Sequence, residues 1–63
     1  MCLSTVYEEN HGQRRKVCEY VSGVVTDGDA VTLTNLMGEE ITVYGALKSM
    51  DFIKNIIVIE AAQ

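Results

Sequence analysis

The sequence predicts a small all-β barrel of five or six short antiparallel strands, and three observations carry that expectation. Short runs rich in Val, Ile, Thr and Tyr are separated by Gly, Asn and Asp. Apolar residues do not recur at helical spacing over any long stretch. The chain contains no proline. With 63 residues it is expected to form one domain, residues 1–63.

The first run spans residues 2–9 and leads into Asn10-His11-Gly12-Gln13, a hairpin turn. The second run, residues 14–26, is expected to bend or bulge near Ser22-Gly23, because glycine inside a strand often marks a bulge. Asp27-Gly28-Asp29 is a strong turn signal. In the third run, residues 30–35, Val31 and Leu33 face one way and Thr32 and Thr34 the other, the alternation of a half-buried strand. Met37-Gly38 turns the chain. The fourth run, residues 39–44, places Ile41 and Val43 inward and Glu40 and Thr42 outward, and Gly45 is expected to break it. Residues 46–53 read as a further strand in preference to a turn of helix. Lys54-Asn55 turns once more, and residues 56–60 close the chain.

This set implies a closed or nearly closed barrel, SH3-like in size, whose closure removes exposed strand edges. A domain this small buries only about 60% of the surface of its unfolded chain and gains from a partner subunit. Ile56-Ile57-Val58-Ile59 is apolar on both faces. If Ile57 and Ile59 face the core, Ile56 and Val58 face outward. Either another part of the same chain covers them or they form a homodimer interface. Leu36 and Met37 are expected to be exposed at their turn.

The formal net charge is −4, a sign that repels phosphate backbones and anionic lipid. Arg14-Arg15-Lys16 is the only basic run, and three adjacent charges read as a solvated hairpin arm. The longest purely aliphatic run, residues 56–59, is far short of the ~20 residues that span a membrane. Glu8 and Glu9 occupy the region where a secretory signal would need a basic start and an apolar stretch. The expected compartment is the cytoplasm, with both cysteines reduced.

Cys2 is the most informative residue. If Met1 is removed, the Cys2 α-amine and thiolate form one chelate ring. If Met1 is retained, its α-amine, the Cys2 amide nitrogen and the Cys2 thiolate form two fused rings. Two such sets across a two-fold axis would give a four-coordinate N,S site, whose donors suit Ni(II) and Cu(II). The alternative is an ordinary cysteine at the start of a strand. Cys18 reads as core, since unpaired cysteine is among the most buried residue types. If hairpin partners sum to 23, Cys2 faces Val21 and Cys18 faces Thr5. The cysteines then lie ~10 Å apart on opposite faces, beyond the ~7 Å a disulfide tolerates. His11, at the hairpin tip ~30 Å of extended strand from Cys2, reads as a solvated turn residue. Asp27, Asp29, Glu39 and Glu40 read as turn acids, too few and too irregular for a Ca²⁺ loop. No phosphate loop, paired-Cys zinc motif or nucleophile–base set is present. The expectation is a protein that is not an enzyme.

Met1-Cys2-Leu3, followed by a strand through Val6-Tyr7, resembles the opening of the CooT family of small nickel-binding proteins. Lys16-Val17-Cys18-Glu19 is similar to the start of its second strand. Gly28-Asp29-Ala30-Val31-Thr32-Leu33-Thr34-Asn35-Leu36-Met37-Gly38-Glu39-Glu40 resembles its central hairpin. Val43-Tyr44-Gly45, Met50-Asp51-Phe52 and Ile57-Val58-Ile59-Glu60 resemble its last strands. The chain departs from the pattern at Cys18, where a plain apolar residue is expected, and at Met37, where an aromatic is usual. The resemblance implies an SH3-like homodimer holding nickel at its interface, with Cys2 as the essential ligand. It also implies supply of nickel for maturation of carbon monoxide dehydrogenase or another nickel enzyme. Met1 as a second donor is a chemical inference. Two other functions remain open at this point: a small RNA-binding barrel using Arg14, Arg15 and Lys16, and a metal-independent adaptor.

Overall fold

The computed structural model describes residues 3–62. Five strands form in order: β1 (Ser4–Asn10), β2 (Gln13–Asp27), β3 (Ala30–Asn35), β4 (Glu40–Asp51) and β5 (Ile56–Ala61). Each strand pairs with the next, and β1 also pairs with β5, so the sheet closes on itself as a barrel. Four ladders are antiparallel, as expected. The closing ladder is parallel, with Val6 beside Ile57 and Glu8 beside Ile59. Five strands running alternately up and down leave the first and last pointing the same way, so the seam has no other choice.

Two strands are too long for one neighbour. β2 pairs with β1 up to Val21 and then with β3. β4 pairs with β3 up to Tyr44 and, from Gly45 onward, with β5. Each transfer sits at or beside a glycine. At Gly23 the ladder slips, as the Ser22-Gly23 bulge predicted. Gly45 does something different from the break expected of it. The strand continues through it, because a side chain is what the site cannot hold: a Cβ would lie 2.2 Å from the Glu60 carbonyl oxygen. The run expected over residues 46–53 is therefore the second half of β4 rather than a sixth strand, and it stops at Asp51.

The β1–β2 turn has His11 at φ 54° and Gly12 at φ 79°. Two successive positive values mark the type I′ hairpin turn that matches strand twist. Asn35 shapes the β3–β4 hairpin: its Oδ1 accepts the Met37 and Glu39 amides, both at 3.0 Å. Asp51 Oδ1 likewise accepts the Ile53 and Lys54 amides at 3.0 Å. Those two N–H groups, Lys54's first, hold the Asp51 carboxyl below its ordinary value.

The core is Val6, Cys18, Val21, Val31, Leu33, Ile57 and Ile59, with Val17, Val24 and Val43 packed against it. Ile57 and Ile59 face inward as expected. Val58, expected on the outward face, is only 2% exposed and lies outside that core cluster. Its ladder neighbours are Tyr7 on β1 and Ser49 on β4. Cover from the same chain thus explains Val58 without an interface. Ile41 sits opposite Leu33, on the face expected, but is 36% exposed. Leu36 and Met37 are exposed at their turn. None of the described residues forms a helix long and apolar enough to cross a membrane.

Candidate functional site

Met1 and Cys2, the expected metal donors, lie outside the described residues. What the structure fixes is the place from which they extend. β1 begins at Ser4, opposite Val21 of β2. The Thr5 amide donates to the Asn55 carbonyl at 2.9 Å, tying this end of β1 to the β4–β5 turn. Beside Ser4 lies an open groove of about 410 Å³ whose lining includes Val21, Val24, Met50, Phe52 and Ile57, with no charged residue.

The expected register holds only near the hairpin tip. Asn10 pairs with Gln13, Glu9 with Arg14, Glu8 with Arg15 and Tyr7 with Lys16. Two irregularities then shift β2 by one residue each, so Cys18 faces Val6 instead of Thr5, and Val21 faces Ser4 instead of Cys2. Cys18 is a buried free thiol, 8% exposed, with Sγ 3.6 Å from the Glu19 carbonyl oxygen. The slip leaves it three residues along β2 from the row of Ser4, on the strand's inward face. His11 is exposed at the far end of the same hairpin, as expected.

Tyr20 is a residue the sequence did not single out. Its φ is 58°, a conformation that costs a non-glycine residue of order 1–2 kcal/mol. It lies where β2 passes from β1 to β3, and its carbonyl accepts the Leu36 amide at 2.8 Å. Its ring is turned outward, 62% exposed. Gly23 three residues later was the available signal for irregularity, but it did not point to Tyr20.

The basic run is neutralised within the chain. Arg14 pairs with Glu9 at 2.8 Å, Arg15 with Glu8 at 2.7 Å and Lys16 with Glu19 at 3.1 Å. Arg14 also lies 5.9 Å from the centre of the Tyr7 ring, within cation–π range. Lys48 of β4 reaches across β5 to the other oxygen of Glu9. The Lys48 and then the Arg14 hydrogen bonds hold the Glu9 carboxyl below its ordinary range, and Glu9 holds the Lys48 amine above its own. Each cation of the run meets a glutamate of the same chain. Asp27, Asp29, Glu39 and Glu40 are exposed. Among the described residues no group of three or more His, Cys, Asp or Glu could hold a metal ion.

Residues 1–60 match the family model of CO dehydrogenase accessory protein CooT. The chain belongs to the CooT family. That family is one of accessory proteins rather than catalysts, and its description ties it to carbon monoxide dehydrogenase. The fold agrees. It is similar to the crystal structure of a protein assigned as a CooT from Carboxydothermus hydrogenoformans, with a TM-score of 0.88. That likeness covers 98% of this chain and 100% of the other at 16% sequence identity, so it speaks for the fold alone. No curated protein matches the sequence.

Proposed function

We propose that this CooT-family protein is a nickel metallochaperone of the cytoplasm. It binds Ni(II) through Cys2, with the Met1 amine as a second donor if Met1 is retained, at the interface of a homodimer of SH3-like barrels. It supplies that nickel for maturation of carbon monoxide dehydrogenase or another nickel enzyme. The observation that carries the reading is the family match, which starts at residue 1 and therefore includes Met1 and Cys2. The chemistry supports it. An amine and a thiolate from each subunit, doubled by subunit pairing, supply four donors that suit Ni(II) in a tetragonal arrangement. Cu(II) would bind the same set more tightly, so selection for nickel rests on which metal is available. The metal holds the thiol deprotonated. A site at a chain end is shallow, and an acceptor can take the ion by ligand exchange.

Native mass spectrometry with nickel tests this directly, since it reports dimerisation, metal count and the state of Met1 together. The expected outcome is stoichiometric nickel on the wild type and none on Cys2→Ser, with unchanged far-UV circular dichroism. Equal nickel titration of the two proteins would overturn the assignment. So would a nickel-loaded wild type lacking any sulfur-to-nickel charge-transfer band.

A further inference from the structure

The net charge sits on one part of the barrel. Residues 20–47 carry Asp27, Asp29, Glu39 and Glu40 and no lysine or arginine, while the remaining five acids balance the five cations. Among the described residues none of those four acids pairs with a cation. Glu39 and Glu40 follow closely on a set of exposed apolar side chains: Tyr20 at 62%, Leu36 at 67% and Met37 at 82%. The Leu36 amide donates to the Tyr20 carbonyl at 2.8 Å, which places Tyr20 of β2 beside Leu36 and Met37 on the β3–β4 turn. That turn is firmly tied. Besides accepting the Met37 and Glu39 amides, Asn35 donates its own amide to the Glu39 carbonyl and its Nδ2 to the Glu39 carboxylate. Tyr20 is held at φ 58°, where glycine fits without cost, yet a large ring stands there and faces solvent. Strained backbone clusters at binding positions, and exposed tyrosine is among the commonest binding anchors.

We propose that Tyr20, Leu36 and Met37, rimmed by Glu39 and Glu40, form the face on which the nickel-accepting protein docks. That protein meets it with an apolar hollow bordered by lysine or arginine. The proposal rests on the nickel-carrier reading given above and names the surface which that reading needs. Charge selects the occupant. A second copy laid here about a two-fold axis would set Glu39 and Glu40 against their own equivalents. Phosphate backbones and anionic lipid are repelled by the same acids. A cationic protein surface is attracted, and its apolar centre covers the exposed side chains. Position agrees with delivery. Val21, the residue after Tyr20, pairs with Ser4 on one side and with Asn35, the residue before Leu36, on the other. Two ladder spacings put Asn35 roughly 10 Å from Ser4, where β1 begins. A partner seated on the β3–β4 turn therefore stands close to the start of the strand that Cys2 precedes.

Nickel-free carbon monoxide dehydrogenase is the probe. Its binding to the full chain is measured by isothermal titration calorimetry, and hydrogen-exchange mass spectrometry locates the contact. Exchange is expected to slow at residues 19–21 and 35–40 on binding, and affinity to fall as salt rises. Leu36→Ser combined with Met37→Ser is expected to raise the dissociation constant at least tenfold. Glu40→Lys should do the same and flatten the salt dependence. Tyr20→Gly should weaken binding by a similar factor yet melt no lower than the wild type, because glycine adopts the Tyr20 conformation without strain. A tyrosine kept only for the fold would give the reverse, a lower melting temperature with unchanged binding. If Tyr20→Gly fails to fold, the Leu36 and Met37 pair of changes and Glu40→Lys decide. A wild type that does not bind the nickel-free enzyme overturns the proposal. So does binding that salt does not weaken, or that the serine pair and Glu40→Lys leave intact. Nickel titration separates this from the metal reading. A chain that docks here but takes no nickel refutes only the metal site. A nickel-binding chain whose serine pair still docks like the wild type refutes only the docking face.

Discussion

Gly45→Ala is the substitution whose cost the structure sets most clearly. A Cβ at this position would lie 2.2 Å from the Glu60 carbonyl oxygen and 3.0 Å from its carbon. Ordinary contact begins near 3.4 Å, so β4 and β5 must part by about 1 Å at this point. The obstruction is backbone and cannot swing aside as a side chain would. Parting the strands weakens the bond from the Ala62 amide to the Tyr44 carbonyl, now 3.1 Å, and the Gly45 amide is held from the other side by the Asp29 carbonyl at 2.8 Å. Overpacking strain of roughly 1–3 kcal/mol and one weakened hydrogen bond of about 1 kcal/mol give on the order of 2–4 kcal/mol. For a domain of this size each kcal/mol moves the melting temperature by roughly 4–8 °C, so a fall of about 8–32 °C is expected. Thermal unfolding followed by circular dichroism measures it. Gly23→Ala is the control, because its Cβ would meet only the Thr34 Cβ at 3.8 Å and the change is expected to be small. A Gly45→Ala protein melting within 3 °C of wild type would refute the claim that backbone approach dictates this glycine.

Further outcomes follow from the charges and the second thiol. Glu9→Gln removes the carboxylate shared by Lys48 and Arg14, so its stability deficit should shrink with added salt. The Glu9 carboxyl is depressed below 4.5, so its contribution is present above that value and lost as pH falls through the lower folded value. Lys48 is raised above 10.5, so its contribution is present below that value and lost as pH rises through the higher folded value. A deficit in Glu9→Gln that stayed constant from pH 7 down to pH 2 would contradict the arrangement. Cys18→Ala should cost about 1–2 kcal/mol, as expected for trimming a buried small group. It should leave nickel stoichiometry unchanged in native mass spectrometry, and a lowered metal count would show that Cys18 takes part in binding.

The Asn10–Gln13 hairpin, the Gly28 and Gly38 turns and the inward Val31–Leu33 pair were legible because each depends on neighbours in sequence. Turn type follows from which residues accept positive φ, and facing follows from the two-residue period of a strand. Cys18 was legible as core for the same reason. The Glu9–Lys48 pair was not, since 39 residues separate its members and nothing local couples them. Val58 read as outward because alternation reports which face a side chain takes and not whether something covers that face.

The sequence by itself determined the strands other than β4, the turns, the buried thiol and the family, since these rest on local backbone preference and on a pattern running through residues 1–60. Tertiary structure decided the rest. It made residues 40–51 one strand with two partners, slipped β2 twice against β1 and closed the sheet with a parallel seam. Ladder partners are chosen by close packing around a small core, where Gly45 either admits the Glu60 carbonyl or forces the strands apart, and that choice involves residues far apart in the chain.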